Sequence, residues 1–282
     1  MKQLRDKRAL VTGAASGIGR AIALRLAREG VHLALVDCNA EGLSAVADEV
    51  RHSGVEALIR QCDLSDEAAT SAAVRFVLDR CRGVDVLVNN AGVTYYGRTH
   101  LMTAEQWRRV MAINLLAPIQ IARELLPQML AREEGHIVNM ASICGLVGMA
   151  RVAAYTTSKF GLVSFSETLR AEYARKGIGV TAVCPGLVDT NLFAAADRGR
   201  DLQANIQPPR WLLTTPEQIA ERTLRAIIRN QGLVVIQPYA RMAYWLKRFA
   251  PWALDLGNRF HRSKKKPAAG QVPAEPPQRK AA

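Results

Sequence analysis

Cysteine is scarce in this sequence, and the cysteines present are not paired by their spacing. The 282 residues include five, at positions 38, 62, 81, 144 and 184, with no Cys-x-x-Cys motif. Isolated thiols are typical of a reducing compartment and argue against a disulfide framework or a zinc site. The five histidines also lack paired ligand spacing. We therefore predict no metal centre.

Long apolar runs are missing as well. No uncharged apolar run reaches the roughly 18 residues that a membrane-spanning helix needs. The basic start, Met1 to Arg8, is not followed by an apolar stretch of signal-peptide form. The sequence also lacks a Gly-x-Ser-x-Gly nucleophile elbow and a Gly-x-x-x-x-Gly-Lys phosphate loop. These absences predict a cytoplasmic protein that does not cross a membrane.

Negative charge is in short supply, because 25 Asp and Glu face 38 Lys and Arg and the formal net charge is +13. The excess is concentrated near the C-terminus, where residues 241–282 hold ten basic side chains against Asp255 and Glu275. This tail carries +8 of the +13, so residues 1–240 carry only +5. A mildly basic body without a recognition module predicts no nucleic-acid partner.

Short apolar runs rich in branched residues alternate with longer amphipathic segments. The short runs predict buried parallel strands at 9–11, 33–36, 57–59, 84–88, 136–140, 180–183 and 233–236. Helices are predicted to begin near Gly17, Ala40, Asp66, Ala104, Val152 and Pro216. This alternation predicts an α/β fold, a Rossmann-type doubly wound parallel sheet of about seven strands with ligands at the carboxyl ends of the strands.

The chain divides into three segments. Residues 1–240 are predicted to form one Rossmann domain, residues 241–262 a basic amphipathic helical extension, and residues 263–282 a disordered tail. Pro251 would break or kink the extension. Its apolar stripe either packs on the body or at a subunit interface, or makes peripheral membrane contact beside the basic side chains. Residues 185–215 lack periodicity and form either a lid or a surface loop.

A glycine-rich turn follows the first predicted strand. Its sequence is Thr12-Gly13-Ala14-Ala15-Ser16-Gly17-Ile18-Gly19. The glycines permit a tight turn, and the next helix offers its N-terminal N–H groups to a pyrophosphate, although three glycines alone also fit an ordinary turn. Asp37 ends the second strand, where a carboxylate would accept ribose hydroxyls and repel a 2′-phosphate. Together they predict a dinucleotide site that prefers NAD to NADP.

The spacing Gly-x-x-x-Gly-x-Gly resembles that of the short-chain dehydrogenase/reductase family. Further motifs follow in the family's order within the first 240 residues, namely Asn89-Asn90-Ala91-Gly92, Asn114, Ser142, Tyr155-x-x-x-Lys159, Pro185-Gly186 and Thr190. The resemblance implies an NAD(P)-dependent oxidoreductase acting on CH–OH donors. It also implies a homo-oligomer, a dimer or tetramer joined through the long helices near 104–131 and 152–176.

Three of these residues have a chemical rationale of their own. Tyr155 and Lys159 are four residues apart, so on a helix they project from one face. The pKa of a free tyrosine is about 10, and a nearby lysine cation is expected to lower it toward the range of a general base. Ser142 ends the fifth strand and could hold a substrate oxygen. Taken singly, each residue also fits an ordinary helix face or strand end.

The resemblance adds roles that the residues alone do not define. It implies that Asn114 fixes a water in the proton relay and that Lys159 also binds the nicotinamide ribose. It places further residues beside the cofactor, namely Asn90, Ala91, Gly92, Pro185, Gly186, Val188 and Thr190. Separately, Asp63, followed by Leu64 after the third strand, would either contact the adenine or cap the helix that begins near Asp66.

The expected substrate pocket is apolar. Its predicted lining is Tyr95, Tyr96, Cys144, Leu146, Val147, Met149, Leu187, Leu192 and Phe193. Without a charged anchor, this lining predicts a small lipophilic alcohol or ketone, such as a steroid, a lipid or an aromatic alcohol. Two alternatives stay open. One is an NADPH-dependent 3-oxoacyl thioester reductase, which Asp37 disfavours. The other is a non-catalytic nucleotide-binding or scaffold protein, which the paired Tyr155 and Lys159 disfavour.

Overall fold

The computed structural model describes residues 1, 3–190, 197–199 and 212–253. Two of the predicted pocket residues, Leu192 and Phe193, lie outside the described residues. The predicted disordered tail, 263–282, and most of the predicted lid also lie outside them.

A seven-stranded parallel sheet forms the centre of the fold, in the order β3-β2-β1-β4-β6-β7-β9. Its strands are β1 (Arg8–Thr12), β2 (His32–Asp37), β3 (Ala57–Gln61), β4 (Val86–Asn89), β6 (Gly135–Met140), β7 (Ile178–Cys184) and β9 (Leu233–Val235). Two short strands, β5 (Tyr95–Tyr96) and β8 (Asp197–Arg198), pair separately. This arrangement confirms the predicted doubly wound sheet.

Helices lie between successive strands of the seven-stranded sheet, and a last helix follows β9. They are α1 (Gly17–Ala27), α2 (Ala40–Arg51), α3 (Glu67–Cys81), α4 (Ala104–Met111), α5 (Ala117–Ala131), α6 (Ala153–Tyr173), α7 (Pro216–Ile228) and α8 (Pro238–Phe249). Thr103 and Thr215 each form a complete capping box with the glutamine three residues on, which fixes the starts of α4 and α7. Asp66, rather than Asp63, caps α3 by accepting from the N–H of Ala69.

The core lies on both faces of the sheet, because successive residues of a strand point to opposite sides. On one face Val11 packs with α1, α2 and α7, in a cluster that includes Ile22 and Leu43. On the other face Leu10 packs with α3, α5 and α6, in a cluster that includes Ile121 and Leu125. Strands buried on both faces explain why the sequence shows continuous apolar runs rather than alternation. The prediction of a buried strand is wrong for β3, whose residues are half-buried or exposed because it lies at the edge of the sheet.

One described helical stretch, Ala104–Ala131, is long and apolar enough to cross a membrane by length and composition alone. It comprises α4, a π-helical turn (Ala112–Leu116) and α5. Half of its most apolar window is buried, and Ile121 and Leu125 lie in the core cluster described above. Its apolar character therefore belongs to the packing against the sheet.

The chain forms two compact units, Met1–Tyr244 and Trp245–Ala282. The first contains the whole sheet and helices α1 to α7. Helix α8 begins at Pro238, so its first turns belong to this unit. The part of the second unit that the structure describes comprises the end of α8 and the residues up to Ala253.

Candidate active site

The carboxyl ends of four adjacent strands bring the predicted site residues to one edge of the sheet. Strands β1, β4, β6 and β7 are neighbours and run parallel. The segments that leave these strands therefore start side by side, and they contain Gly13, Asn90, Ser142 and Pro185. Such an edge is where doubly wound folds bind their ligands.

Three buried polar side chains meet beyond the end of β6. Ser142, Tyr155 and Lys159 are 7%, 6% and 3% exposed. The side chain of Ser142 is near enough to the Tyr155 phenol to influence its ionisation, and the Lys159 ammonium lies 5.7 Å from the centroid of the Tyr155 ring. The structure thus brings together the three residues that the sequence analysis singled out.

Backbone groups fix this cluster. Lys159 Nζ donates to the carbonyl of Met140, the last residue of β6, at 2.7 Å. Ser142 caps a short 3-10 turn, Ile143–Gly145, and its Oγ accepts from the N–H of Cys144 at 3.1 Å. A substrate oxygen near Ser142 would therefore meet a hydroxyl whose position is already set.

Burial dominates the ionisation of the pair. Burial raises the pKa of Tyr155 above its ordinary value, and the neighbouring Ser142 side chain only partly opposes this. Burial also lowers the pKa of Lys159 to about 8. The pKa of Tyr155 thus moves in the direction opposite to the one that the sequence predicts from Lys159, because desolvation is the largest cause. Tyr155 in this state is therefore a proton donor.

Asn114 lies in the π-helical turn between α4 and α5 and is fully buried. Its Nδ2 donates to the carbonyl of Val93 at 2.8 Å, and its Oδ1 accepts from the N–H of Val93 at 2.8 Å. Nδ2 also lies 3.2 Å from the hydroxyl of Ser158, which in turn donates to the carbonyl of Tyr155. Ser158, which the sequence analysis missed, therefore links Asn114 to the helical turn that carries Tyr155.

The glycine-rich turn packs directly against the segment after β4. Asn90 Nδ2 donates to the carbonyls of Thr12 and Gly13, and the N–H groups of Asn90 and Ala91 donate to Thr12 Oγ1. Gly13 has a φ of +64°, and a Cβ there would lie 2.8 Å from the Cα of Ala91. Glycine is thus required at this position both by conformation and by space.

Asp37 is held at the end of β2 by two backbone groups. Its carboxylate accepts from the N–H of Ala15 at 3.1 Å and from the N–H of Asn39 at 3.0 Å. Asp63 accepts instead from the N–H and hydroxyl of Ser65, which lowers the pKa of its carboxyl. The side chain of Leu64 is buried in the core cluster. Asp37 therefore places negative charge beside the glycine-rich turn.

The segment after β7 is tied to residues far along the chain. Gly186 N–H donates to Gln237 Oε1, and Leu187 N–H donates to the hydroxyl of Tyr239, both at 2.6 Å. Nothing in the local sequence links these partners, which are about fifty residues apart. Thr190 comes back against the glycine-rich turn, since a Cβ on Gly17 would lie 3.4 Å from its Cγ2.

Only part of the predicted pocket lining surrounds Tyr155. Tyr96, Cys144 and Val152 share an apolar cluster with it, and Cys144 Sγ contacts Met149 Sδ at 3.3 Å. Leu146 and Val147 pack elsewhere, in a cluster with Tyr239 and Ala240. Tyr95 lies in a third cluster, with Val110 and Ala154. Among the described residues, no group of three potential metal ligands comes together.

These residues fit a nicotinamide dinucleotide. Ser16 at the start of α1 makes no side-chain hydrogen bond to the helix, which leaves N–H groups of the first turn for a pyrophosphate. A Cβ on Gly92 would lie 3.6 Å from Lys159 Nζ, so the absence of a side chain leaves room beside the ammonium. Fold and site together define the class of nicotinamide-dependent oxidoreductases.

Comparison with known sequences gives the family. The profile of the short chain dehydrogenase family matches residues 7–201. A relative from Streptomyces coelicolor, named as a ketoacyl reductase, is 40% identical over 222 residues, covering 78% of this chain and 82% of its own. Cyclohexanol dehydrogenase from Acinetobacter sp. strain SE19 is 34% identical over 217 residues, covering 77% and 85%. The chain belongs to the short-chain dehydrogenase family.

Solved structures agree with this assignment. A short chain dehydrogenase/reductase from Burkholderia phymatum, in complex with NAD, superposes with a TM-score of 0.78 at 28% identity, covering 95% of this chain and all of its own. A metagenomic short-chain oxidoreductase in complex with NADP has a TM-score of 0.71 at 33% identity, covering 83% and 99%. The chain is thus an NAD(P)-dependent oxidoreductase acting on a CH–OH group or a ketone.

Proposed function

We propose that the protein interconverts a lipophilic secondary alcohol and its ketone with NAD(H), with Tyr155 as the general acid and base. The observation that carries this proposal is the meeting of Ser142, Tyr155 and Lys159 in one buried cluster beyond β6. Their spacing, burial and mutual contacts suit proton exchange at an oxygen that is being reduced or oxidised.

Each residue has a distinct task in this proposal. When bound, the nicotinamide supplies or accepts the hydride. Ser142 holds the substrate oxygen, and Tyr155 gives it a proton in reduction or takes the proton in oxidation. Lys159 stabilises the tyrosinate by its charge and also orients the nicotinamide ribose. Asn114 holds the water that carries the proton onward, using the amide that Val93 and Ser158 position.

The remaining cofactor contacts follow from position at the sheet edge. Gly13, Ser16, Gly17, Ile18 and Gly19 would hold the pyrophosphate. The adenosine would lie against Asp37, Asp63 and Leu64. The nicotinamide end would lie among Asn90, Ala91, Gly92, Pro185, Gly186, Val188 and Thr190. The close approach of Thr190 to Gly17 supports this placement, because it brings the β1 and β7 segments together at one ligand.

Replacing the phenol tests the catalytic part. Purified protein is screened for nicotinamide reduction against steroid, aromatic, acyl and short secondary alcohols, and the best substrate is used for the variants. Tyr155→Phe should lower turnover by about 10²–10⁴-fold, the usual contribution of a general acid and base, with NAD binding retained. Tyr173→Phe, at the far end of the same helix, serves as the matched control. Retention of more than about a tenth of the rate in Tyr155→Phe would contradict the proposal.

Replacing the carboxylate of Asp37 tests the proposed preference for NAD over NADP. Asp37 would accept the hydroxyls of the adenosine ribose and repel a 2′-phosphate, which supports NAD. We expect Asp37→Ser to lower kcat/KM for NAD and raise it for NADP, shifting the ratio by about ten- to a hundredfold. Asp48→Ser on the exposed side of α2 is the control for charge. An unchanged ratio would remove Asp37 from cofactor selection.

The apolar surroundings of Tyr155 support a lipophilic substrate. The apolar side chains of Tyr96, Cys144 and Val152 pack beside it. A second candidate is a 3-oxoacyl thioester reductase, because a relative at 40% identity is named as a ketoacyl reductase. The two are separated by comparing kcat/KM for a 3-oxoacyl thioester with that for an aromatic or steroid ketone, each with NADH and NADPH.

We also infer from the family that the chain acts in the cytoplasm as a homodimer or homotetramer. The helical stretch Ala104–Ala131, one of the two expected contact helices, exposes 56% of Leu116. An apolar side chain so exposed suits a subunit contact. Sedimentation equilibrium of the wild type and of Leu116→Glu tests this inference, with dissociation as the expected effect of the charge.

A further inference from the structure

Helix α8 is apolar on two sides. Its inner side is formed by Tyr239, Ala240 and Tyr244, which pack into the cluster around Val235 and Cys184. Ala240 is completely buried. This packing, together with the bond from Tyr239 to the segment after β7, anchors the first turns of the helix to the catalytic unit. The inner side therefore has its partner.

The outer side exposes large apolar side chains. Met242, Trp245 and Phe249 are separated by three and four residues, so they form one stripe along the helix. They are 69%, 52% and 75% exposed. The rings of Trp245 and Phe249 stack with centroids 5.5 Å apart, and Trp252, a few residues on, is 68% exposed. We call Met242, Trp245, Phe249 and Trp252 the aromatic stripe.

Basic side chains border the aromatic stripe. Arg241 and Arg248 are seven residues apart, so they fall on one side of the helix, next to the line of Trp245. Both are exposed. The sequence that continues from this helix carries Lys264, Lys265 and Lys266, and residues 241–282 together have a net charge of +8. No acidic side chain lies within α8 to offset this charge.

We propose that the aromatic stripe docks the protein onto an anionic lipid surface. Trp and Phe favour the boundary between headgroups and acyl chains, while flanking Arg and Lys are attracted to anionic headgroups. A second copy is a poorer occupant, because it would bring another +8 to the same place. A nucleic acid would also satisfy the charge, but the helix has no recognition module for one.

The test uses the full chain and defined vesicles. Partitioning is measured by sedimentation with vesicles of equal parts phosphatidylglycerol and phosphatidylcholine, and with phosphatidylcholine alone. Trp245→Ser/Phe249→Ser removes two side chains of the stripe. Ile59→Ser/Ile228→Ser is the matched control, since these isoleucines are 37% and 38% exposed on β3 and α7. Thermal unfolding and nicotinamide turnover without vesicles show that each variant is folded.

We expect the wild type and the isoleucine control to bind anionic vesicles at least about tenfold more tightly than the stripe variant, and to bind neutral vesicles weakly. Replacing Lys264, Lys265 and Lys266 by Gln should weaken anionic binding by about tenfold or more. A second stripe variant, Met242→Ser/Trp252→Ser, replaces the first if that one unfolds, with the same expected loss.

Three outcomes would overturn the proposal. The first is equal partitioning of the wild type and the stripe variants. The second is equal binding to anionic and neutral vesicles. The third is no vesicle binding together with a change in oligomeric mass in Trp245→Ser/Phe249→Ser, measured by sedimentation velocity, which would assign the stripe to a contact between copies.

Discussion

The two ends of strand β6 both bury titratable side chains, yet only one end has the features of a reaction centre. At the amino end, His136 is fully buried and its Nε2 lies 2.9 Å from the hydroxyl of Thr181. Burial lowers the pKa of His136 to about 3. At the carboxyl end, Met140 and Ser142 contact Lys159 and Tyr155. A buried side chain with a shifted pKa is therefore not by itself evidence of catalysis.

The difference lies in what surrounds each group. The ring of His136 fills the space that Gly179 leaves, since a Cβ there would collide with Nδ1. Thr181, its partner, donates onward to the carbonyl of Gln231 and is itself fully buried. At the carboxyl end several polar groups converge beside Gly92, which has no side chain. The amino end is enclosed packing, whereas the carboxyl end keeps room for a ligand.

The largest loss of activity should come from a substitution at the carboxyl end of β6. Lys159→Met removes the ammonium that lies 5.7 Å from the Tyr155 ring, so the tyrosinate loses this stabilising charge. We expect kcat/KM to fall by about 10²–10⁴-fold, measured by nicotinamide turnover on the best substrate. Lys176→Met, in the exposed turn after α6, is the control. A loss below about threefold in Lys159→Met would place the lysine outside the chemistry.

The amino end should affect stability rather than turnover. His136 binds a proton near pH 6.5 in the unfolded chain but only near pH 3 in the folded chain. The stability that neutral His136 contributes is therefore complete above pH 6.5 and is lost as the pH falls toward 3, with a slope of up to about 1.4 kcal/mol per unit. Urea unfolding of the wild type and of His136→Gln at pH 4, 5, 6 and 7 measures this slope.

The free energy of unfolding of His136→Gln should vary less with pH than that of the wild type. Its turnover at neutral pH should stay within about twofold of the wild type. His52→Gln, an exposed histidine after α2, controls for the titration of carboxylates common to all three proteins. Parallel stability curves for His136→Gln and the wild type would show that His136 does not titrate as described. A large loss of turnover in His136→Gln would contradict the distinction between the two ends of β6.

The smallest effect should come from a positioning residue. Ser158→Ala removes the hydroxyl that links Asn114 to the carbonyl of Tyr155, but Asn114 keeps both bonds to Val93. We expect turnover to fall by about tenfold, with a shifted pH profile and little change in KM. Ser166→Ala is matched to it, since Ser166 is buried on the same helix and bonds to the carbonyl of Leu162.

If both serine variants lost turnover equally, or if the pH profile of Ser158→Ala stayed unchanged, the role of Ser158 would be structural. The comparison is useful because both hydroxyls donate to a carbonyl of α6 and accept from an asparagine amide. The asparagines differ in location, since Asn114 lies in the π-helical turn and Asn139 in β6.

Much of the fold followed from local patterns in the sequence. Buried parallel strands can be predicted from short runs of branched apolar residues. Thr103 and Thr215 mark helix starts, because each forms a capping box that involves only four consecutive residues. The two-residue strands β5 and β8 could not be predicted, because two residues show no periodicity. The order of the site motifs along the chain was sufficient to predict that Ser142, Tyr155 and Lys159 lie in one site.

Features that depend on distant contacts could not be predicted. The bonds from Gln237 and Tyr239 to the segment after β7 join positions about fifty residues apart. The direction in which the pKa of Tyr155 shifts depends on how completely the neighbouring elements exclude water. The spacing of Tyr155 and Lys159 along one helix does not reveal this. The π-helical turn around Asn114 also has no local signature, since its residues suit an ordinary helix.

That π-helical turn constrains how the gene can change. A π turn holds one more residue than the α-helical turn it replaces, and each residue turns a helix by about 100°. Loss of a single residue within Ala112–Leu116 would rotate Asn114 away from Val93, or rotate all of α5 away from the sheet. In this stretch the number of residues is therefore constrained independently of their identity.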